Sequence, residues 1–337
     1  MRVAITGATG FIGGHITSQA IGSGHDVVTL VRSPDKLAAS MANLGVDVPD
    51  YIVGDMTDET SVASLIDGVD AVVHTAAIVS LAPRDAQRVI DQNTRGARLV
   101  LSAAADAGLD PIVHLSSTSA LFDPGCGPIR TDTPPTTVPF PYARAKAHAE
   151  ATARELQSKG HGVAIVYPGG VIGPPAGDAF GEAGTGITGF LAPGVMPTRH
   201  ASMSFIDVRD LATIVVALLE PGRGARRFVA TGTHCDMTEL ASICSKLTGR
   251  RFRVPPVPAA MLRGSGIVMD RIRNVLPFSS PLTEEGMTTI TRWEGAYDTD
   301  LTPLGVTLRP FDVTMADTMR ALRDGGHLKD RHIGRLA

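Results

Sequence analysis

The chain is predicted to be α/β: a Rossmann-like, doubly wound parallel sheet joined to a smaller, mostly helical C-terminal part that binds substrate. Three observations predict this. Short β-branched runs alternate with helical stretches through the first two-thirds. Those runs are near-continuously apolar rather than alternating, as strands covered on both faces must be. The first run passes at once into a glycine-rich turn and a helix, the opening of a nucleotide-binding βαβ unit.

In order, the strands are "RVAIT", "DVVTLVR", "YIVGD", "AVVHTAA", "PIVHLSS" and "VAIVYPGG". Helix signals separate them: Thr57 or Asp58 stands ready to cap "ETSVASLID", Gly68 follows it, and Gly108 closes "ARLVLSAAADAG". After Val171 the stretch "GPPAGDAFGEAGTGITGFLAPGVMP" is too punctuated by Gly and Pro for regular elements and reads as a loop region over a site. From Phe205 to Thr231 the alternation of strand and helix resumes, with a strand "FIDV", a helix from Leu211 to Leu219 and a strand "RFVAT". Helical segments then follow from Thr238. The expected division is 1–170 plus 205–235 for the dinucleotide-binding domain, and 171–204 plus 236–337 for the substrate-binding part.

Composition narrows the partner. With 337 residues, 43% apolar, 19% charged and a formal net charge of −3, the chain is ordinary globular material with no field suited to nucleic acid. Cys126, Cys235 and Cys244 are odd in number and lack metal-ligand spacing, so neither disulfides nor a metal site is expected. No leader-like or spanning apolar stretch is visible. A cytoplasmic protein with a small-molecule partner is expected.

The turn "VAITGATGFIGGHI" places Gly7, Gly10 and Gly13, with Thr9, Phe11 and Ile12 among them, between the first strand and a helix whose Ile12, Ile16 and Ala20 share a face. Glycines allow a tight turn and close backbone approach, and the helix N-terminus offers unpaired N–H groups to a pyrophosphate. The spacing is GxxGxxG, and an ordinary glycine-rich turn is the competing explanation. The second strand ends "LVRSPDK" without the carboxylate that would accept from the 2′-hydroxyl of an NAD ribose. Arg32 and Lys36 suit the 2′-phosphate of NADP, which is therefore expected over NAD, unless both are merely solvated cations. Asp55 and Met56, after the third strand, are positioned to meet the adenine.

In "FPYARAKAHAE", Tyr142 and Lys146 stand i and i+4, so on a helix begun by Pro141 they share one face. A phenol titrates near pH 10, and a neighbouring ammonium favours its ionised form. The pair therefore reads as an acid and the cation that tunes it. The run "HLSSTSAL" offers Ser116, Ser117, Thr118 and Ser119 at the end of the fifth strand, where sites of such sheets lie. Caps or turns account for most of these hydroxyls. His74 and His114, in apolar strands, are expected to be satisfied core residues.

The ordered set "TGATGFIG", "GDMTD", "VVHTAAIVS", "HLSST", "YARAK", "YPGGVIGP" and "FIDVRDLA" resembles the extended short-chain dehydrogenase/reductase superfamily. It is most similar to the branch of dihydroflavonol 4-reductases and 3β-hydroxysteroid dehydrogenases, densely over about residues 1–235. The resemblance implies a catalytic hydroxyl at Thr118, with Ser117 the alternative, beside Tyr142 and Lys146. It also implies cofactor contacts from Thr75, Ala76 and Ala77, and nicotinamide contacts from Pro168, Gly169 and Val171. A homodimer would form through helices at about 84–107 and 142–158. Two departures stand out: Tyr167 occupies a position where family members often have Arg, and Ser119 and Ala120 replace the acidic pair of sugar dehydratases. The implied activity is NADP-dependent interconversion of a secondary alcohol and a carbonyl compound. A nucleotide-sugar epimerase holding NAD, which could use Arg199, Arg223, Arg250, Arg251 and Arg253, and a non-catalytic NADP sensor are the rivals. The substrate pocket is expected from the loop Ile78 to Arg88, the stretch after Val171 and the C-terminal helices.

Overall fold

The computed structural model describes residues 1–78, 86–273 and 282–337. Part of the expected pocket loop, and the end of the helical stretch near residue 274, lie outside these residues. The six expected strands form as β1 (Arg2–Thr6), β2 (Asp26–Val31), β3 (Asp50–Val53), β4 (Ala71–His74), β5 (Ile112–Leu115) and β6 (Val163–Pro168), joined by β9 (Arg226–Ala230). Among the described residues these make one sheet in the order β3-β2-β1-β4-β5-β6-β9, parallel throughout. The order reverses between β1 and β4, the switch point outside which such sheets bind ligands.

Both faces are covered, which is why the strands carry little polar alternation. Ala4, Val72, Ile112 and Ile165 pack beneath α3 (Glu59–Ile66), α4 (Ala86–Asp106) and α5 (Pro141–Ser158), while Val3, Ile5, Val73 and Val113 meet α1 (Phe11–Gly22) and α7 (Val208–Ala217). The expected stops and starts are present. Asp58 caps α3 by accepting from Ser61 N–H and Gly108 adopts φ +72° after α4, while Ser33, not among the expected signals, caps α2 (Pro34–Leu44).

The smaller unit differs from expectation in two respects. The punctuated stretch after Val171 contains a helix, α6 (Gly181–Leu191), whose Gly184, Ile187 and Leu191 are its buried residues. Glycine occupies so much of this helix that its apolar periodicity is faint. The unit also has its own sheet, β7 (Gly170–Ile172), β8 (Ser202–Asp207) and β10 (Thr233–Asp236), in the order β10-β8-β7. The strand read from "FIDV" thus belongs there rather than in the parallel sheet. Helices α8 (Met237–Thr248), α9 (Ala259–Arg273), α10 (Glu284–Arg292), α11 (Phe311–Asp324) and α12 (Asp330–Ile333) complete it. Met196, Met237, Met287, Met315 and Met319 fill much of its core, flexible side chains that accommodate irregular helix packing.

Asp207 is one of the carboxylates that tie the two units together. It caps α7 by accepting from Arg209 N–H at 2.9 Å, accepts twice more from the Arg209 guanidinium, and accepts from Thr314 of α11 at 2.9 Å. Arg209 also reaches Asp317 of α11 at 2.9 Å. Burial works against the Asp207 charge, but its hydrogen bonds from Arg209 outweigh that cost and hold its pKa below the ordinary value. A carboxyl so depressed contributes stability that is complete above its unfolded pKa, near 4, and is lost as pH falls through the folded value. We expect Asp207→Ala to lose about 3 kcal/mol in urea denaturation at neutral pH. Less of the wild-type stability loss on acidification should remain in that variant.

Candidate active site

The β1–α1 turn is built for close approach. Gly7 has φ +86°, and a Cβ there would lie 2.5 Å from Thr75 Oγ1. Gly10 N–H donates to the Gly7 carbonyl at 2.9 Å, and a Cβ on Gly13 would lie 2.1 Å from that same oxygen. No side chain fits between turn and helix. Gly10, the N-cap of α1, carries no side chain to occupy the first-turn N–H groups, so they face outward as a cradle for an anion. Thr9 and Ile12 stay partly exposed in it, while Phe11 is buried. Thr75 follows β4 and donates to the Thr6 carbonyl at 2.7 Å, and Ala76 N–H donates to Thr6 Oγ1 at 3.3 Å, so Thr75, Ala76 and Ala77 run alongside the cradle. Asn93 of α4, a residue without a sequence signal of its own, clamps Ile78 by exchanging hydrogen bonds of 2.7 and 2.8 Å with its backbone.

Arg32 emerges just past β2 with its side chain 73% exposed, 4.0 Å from Asp55. Lys36, in the first turn of α2, is exposed as well. Asp55 is occupied chiefly with Thr57, accepting from its N–H at 2.9 Å and its hydroxyl at 2.7 Å. Met56 is buried, and a Cβ on Gly96 of α4 would lie 2.7 Å from its Sδ.

Helix α5 begins at Pro141 as expected and carries Tyr142 and Lys146 one turn apart. Of the hydroxyls after β5, Ser117 is the one that acts on the Tyr142 phenol, favouring its ionised form. Thr118 instead donates to the Pro168 carbonyl at 3.2 Å, which ties the β5 end to Pro168, Gly169 and Val171. The resemblance puts the hydroxyl at Thr118; this arrangement brings its alternative, Ser117, to the phenol. Ser116 is turned away, donating to Glu150 at 2.7 Å.

The electrostatics run contrary to the expectation from Lys146 alone. The Tyr142 pKa is raised, first by burial and then by the Glu182 carboxylate, with Ser117 lowering it and Glu285 raising it further. Burial brings Lys146 down to about 8 against the pull of Glu182 and Glu150. Partial desolvation, with Glu285 nearby, raises the Glu182 carboxyl, although its side chain keeps an open face to solvent. Neither acid is signalled by the sequence: Glu182 sits in the stretch read as loop, and Glu285 in a helix far along the chain. The same holds for Glu150, a carboxylate within the quoted helix. It is fully buried and accepts from Arg154 at 2.5 Å and Tyr167 at 2.9 Å. Arg154, one turn along α5, thereby supplies a cation beside Tyr167.

His74 is a satisfied core residue, its Nδ1 lying 2.8 Å from Thr6 Oγ1. His114 is not. It is 3% exposed and stacks on His74 with ring centroids 5.6 Å apart, but among the described residues neither ring nitrogen has a hydrogen-bond partner. Burial, with His74 and Lys146 adding to it, keeps its pKa well below the ordinary value. No cluster of metal-ligating side chains occurs among the described residues, and no described helix is long and apolar enough to cross a membrane.

A glycine cradle at the switch point, joined to a Tyr and Lys on the helix after β5, defines a nucleotide-dependent enzyme of the extended short-chain dehydrogenase/reductase type. Residues 3–230 match the NAD dependent epimerase/dehydratase family, and the chain belongs to it. It is 28% identical to sterol demethylase protein B of Methylococcus capsulatus over 291 residues, 83% of this chain and 85% of that one. It is 25% identical to a putative dihydroflavonol 4-reductase of Synechocystis, over 96% of this chain and 95% of that one. Among solved structures, the fold is shared with the UDP-glucose 4-epimerase of Stenotrophomonas maltophila, which holds NAD. That match has TM-score 0.72 and 21% identity, over 97% of this chain and 99% of that one.

Because a Cβ at Gly13 would collide with the Gly7 carbonyl, Gly13→Ala should weaken dinucleotide binding and cost roughly 1–3 kcal/mol of stability through overpacking. Cofactor titration and thermal denaturation measure the two effects together.

Proposed function

We propose that the protein is an NADP-dependent oxidoreductase that interconverts a secondary alcohol and a ketone or aldehyde. What supports this reading is the placement of Tyr142 and Lys146 one turn apart on α5, with Ser117 from the end of β5 acting on the Tyr142 phenol. Bound NADPH would supply the hydride. Tyr142 then gives its proton to the carbonyl oxygen, and the raised pKa keeps the phenol loaded for that task. Ser117, or Thr118 after release from Pro168, holds the same oxygen by a hydrogen bond. Lys146 sits on the Tyr142 face of α5, where its ammonium is in reach of the nicotinamide ribose hydroxyls. Its pKa of about 8 lets it pass a proton near neutral pH. The Gly7–Gly13 turn would hold the pyrophosphate, and Thr75, Ala76, Ala77, Pro168, Gly169 and Val171 would lie toward the nicotinamide half.

The choice of NADP rests on Arg32, Ser33 and Lys36. An exposed guanidinium at the end of β2 and a helix start two residues later make a phosphate-binding corner. The epimerase reading is weakened by what the candidate arginines already do. Arg250 donates to the carbonyls of Leu191, Ala192 and His332, and Arg223 is paired with Glu220 at 2.7 Å. Glu182 and Glu285 beside the tyrosine would repel an anionic substrate group and favour an uncharged carbonyl compound. The implied homodimer would bring together the outer faces of α4 and α5, which carry Arg95, Arg98, Arg144 and His148 around a groove. Such a contact would be polar.

Tyr142→Phe should abolish NADPH-driven carbonyl reduction while leaving NADPH affinity within about twofold, because the phenol acts only on the substrate oxygen. Full turnover would refute the assignment. Arg32→Ser should raise the KM for NADPH by tenfold or more, the worth of a charge-assisted phosphate contact, and leave that for NADH unchanged. Steady-state kinetics with the two cofactors in parallel read this directly.

A further inference from the structure

The helix that carries Tyr142 has no cap of its own. Phe140, at its N-cap, makes no side-chain capping bond, and Pro141 has no N–H to give. The first two free N–H groups are those of Tyr142 and Ala143, and both donate to one carboxylate from the far end of the chain. Tyr142 N–H reaches Glu285 Oε2 at 3.2 Å, and Ala143 N–H reaches Oε1 at 2.9 Å. A carboxylate held this way bridges two adjacent orphan donors and meets the positive end of the helix dipole.

The group that does this is firmly carried. Glu285 lies in the first turn of α10, whose N-cap Thr283 accepts from Gly286 N–H at 3.0 Å. Glu284 N–H donates to Asp270 of α9 at 2.8 Å. A Cβ on Gly266 of α9 would lie 2.7 Å from the Thr283 carbonyl, so α9 and α10 pack backbone to backbone at this point. The N-termini of α5 and α10 therefore share the Glu285 carboxylate. A serine or aspartate at 140 would have capped α5 locally. The sequence instead delegates the cap to the smaller unit, whose helices wall the substrate side.

We propose that Glu285 is a positioning residue for Tyr142: it fixes the backbone that bears the phenol and so couples the placement of the α9–α10 pair to the alignment of the acid. This rests on the reading of Tyr142 as the proton donor. The charge of Glu285 adds a second effect, because it disfavours the phenolate. The other groups facing the phenol are Ser117 from the β5 end and Glu182 from α6. Lys146 lies one turn on along α5 and is itself faced by Glu182, Glu150, His74 and His114. Asp270 faces Glu285 from α9.

Two variants and two readouts test the proposal on the full-length chain. Glu285→Ala removes both acceptors, while Glu285→Gln keeps one oxygen and removes the charge. Hydrogen–deuterium exchange of the peptide containing Tyr142 and Ala143 needs no substrate. We expect it to be at least tenfold faster in Glu285→Ala, with protection largely retained in Glu285→Gln. Unchanged exchange in both overturns the cap. In NADPH-driven carbonyl reduction, Glu285→Ala should lose roughly ten- to a hundredfold in kcat, the usual cost of a slightly misplaced group, with the KM for NADPH unchanged. In Glu285→Gln the alkaline loss of activity that follows the phenol should move to lower pH, because the phenol gives up its proton more readily without the neighbouring charge. A kcat and a pH profile superimposable on wild type overturn the positioning role. If exchange accelerates while the wild-type protein reduces no carbonyl compound, the cap stands and the reductase reading, with the positioning role built on it, falls.

Discussion

The placement of the whole site depends on one buried carboxylate. Glu150 is fully enclosed, and a charge taken out of water costs several kcal/mol unless its hydrogen bonds are replaced. Here they are replaced from three directions: Ser116 at the end of β5, Tyr167 on β6 and Arg154 on α5 itself. Satisfying all three at once fixes how α5 is rotated and how far along the strands it sits. Lys146 lies one turn before Glu150 on the same face of that helix, and Tyr142 one turn before Lys146. The acid and its neighbouring cation are thus placed by a network one turn below them.

Tyr167 gives that network a hydroxyl from the strand, and Arg154 brings a guanidinium from the helix. The guanidinium donates to both Glu150 and Tyr167. The carboxylate is thereby paired with a cation. Tyr167 in turn has its pKa raised, chiefly by burial and by Glu150, so it acts as a donor and not as a second acid.

Much of the fold is legible in the sequence because its signals are local. Apolar runs of four to six residues, Asp58 before α3, and glycines that only positive φ or tight packing requires each speak for a few neighbouring positions. The cradle and the Tyr142–Lys146 pair are legible for the same reason, since both lie within a short span of chain. What the sequence hides is long-range. Glu285 reaches Tyr142 across 143 residues, Glu182 sits in a helix masked by its glycines, and the pairing of β8 with β7 and β10 rather than with the parallel sheet is a matter of topology. The direction of the Tyr142 shift differs from expectation first because the phenol is buried and then because Glu182 and Glu285 lie near it: the cation is visible in sequence, and these surroundings are not. His114 shows the same limit, because periodicity foretells burial but not whether a ring nitrogen finds a partner.

The measurement that tests the account most directly follows the transferred hydrogen. Carbonyl compounds, both bulky and small, would be incubated with the protein and NADPH deuterated at the reactive carbon of the nicotinamide, and the product analysed by mass spectrometry. The account predicts an alcohol carrying a single deuterium on the former carbonyl carbon, formed with release of NADP. A purified protein that retains tightly bound NAD through gel filtration, and inverts a nucleotide sugar without net deuterium uptake, would contradict it.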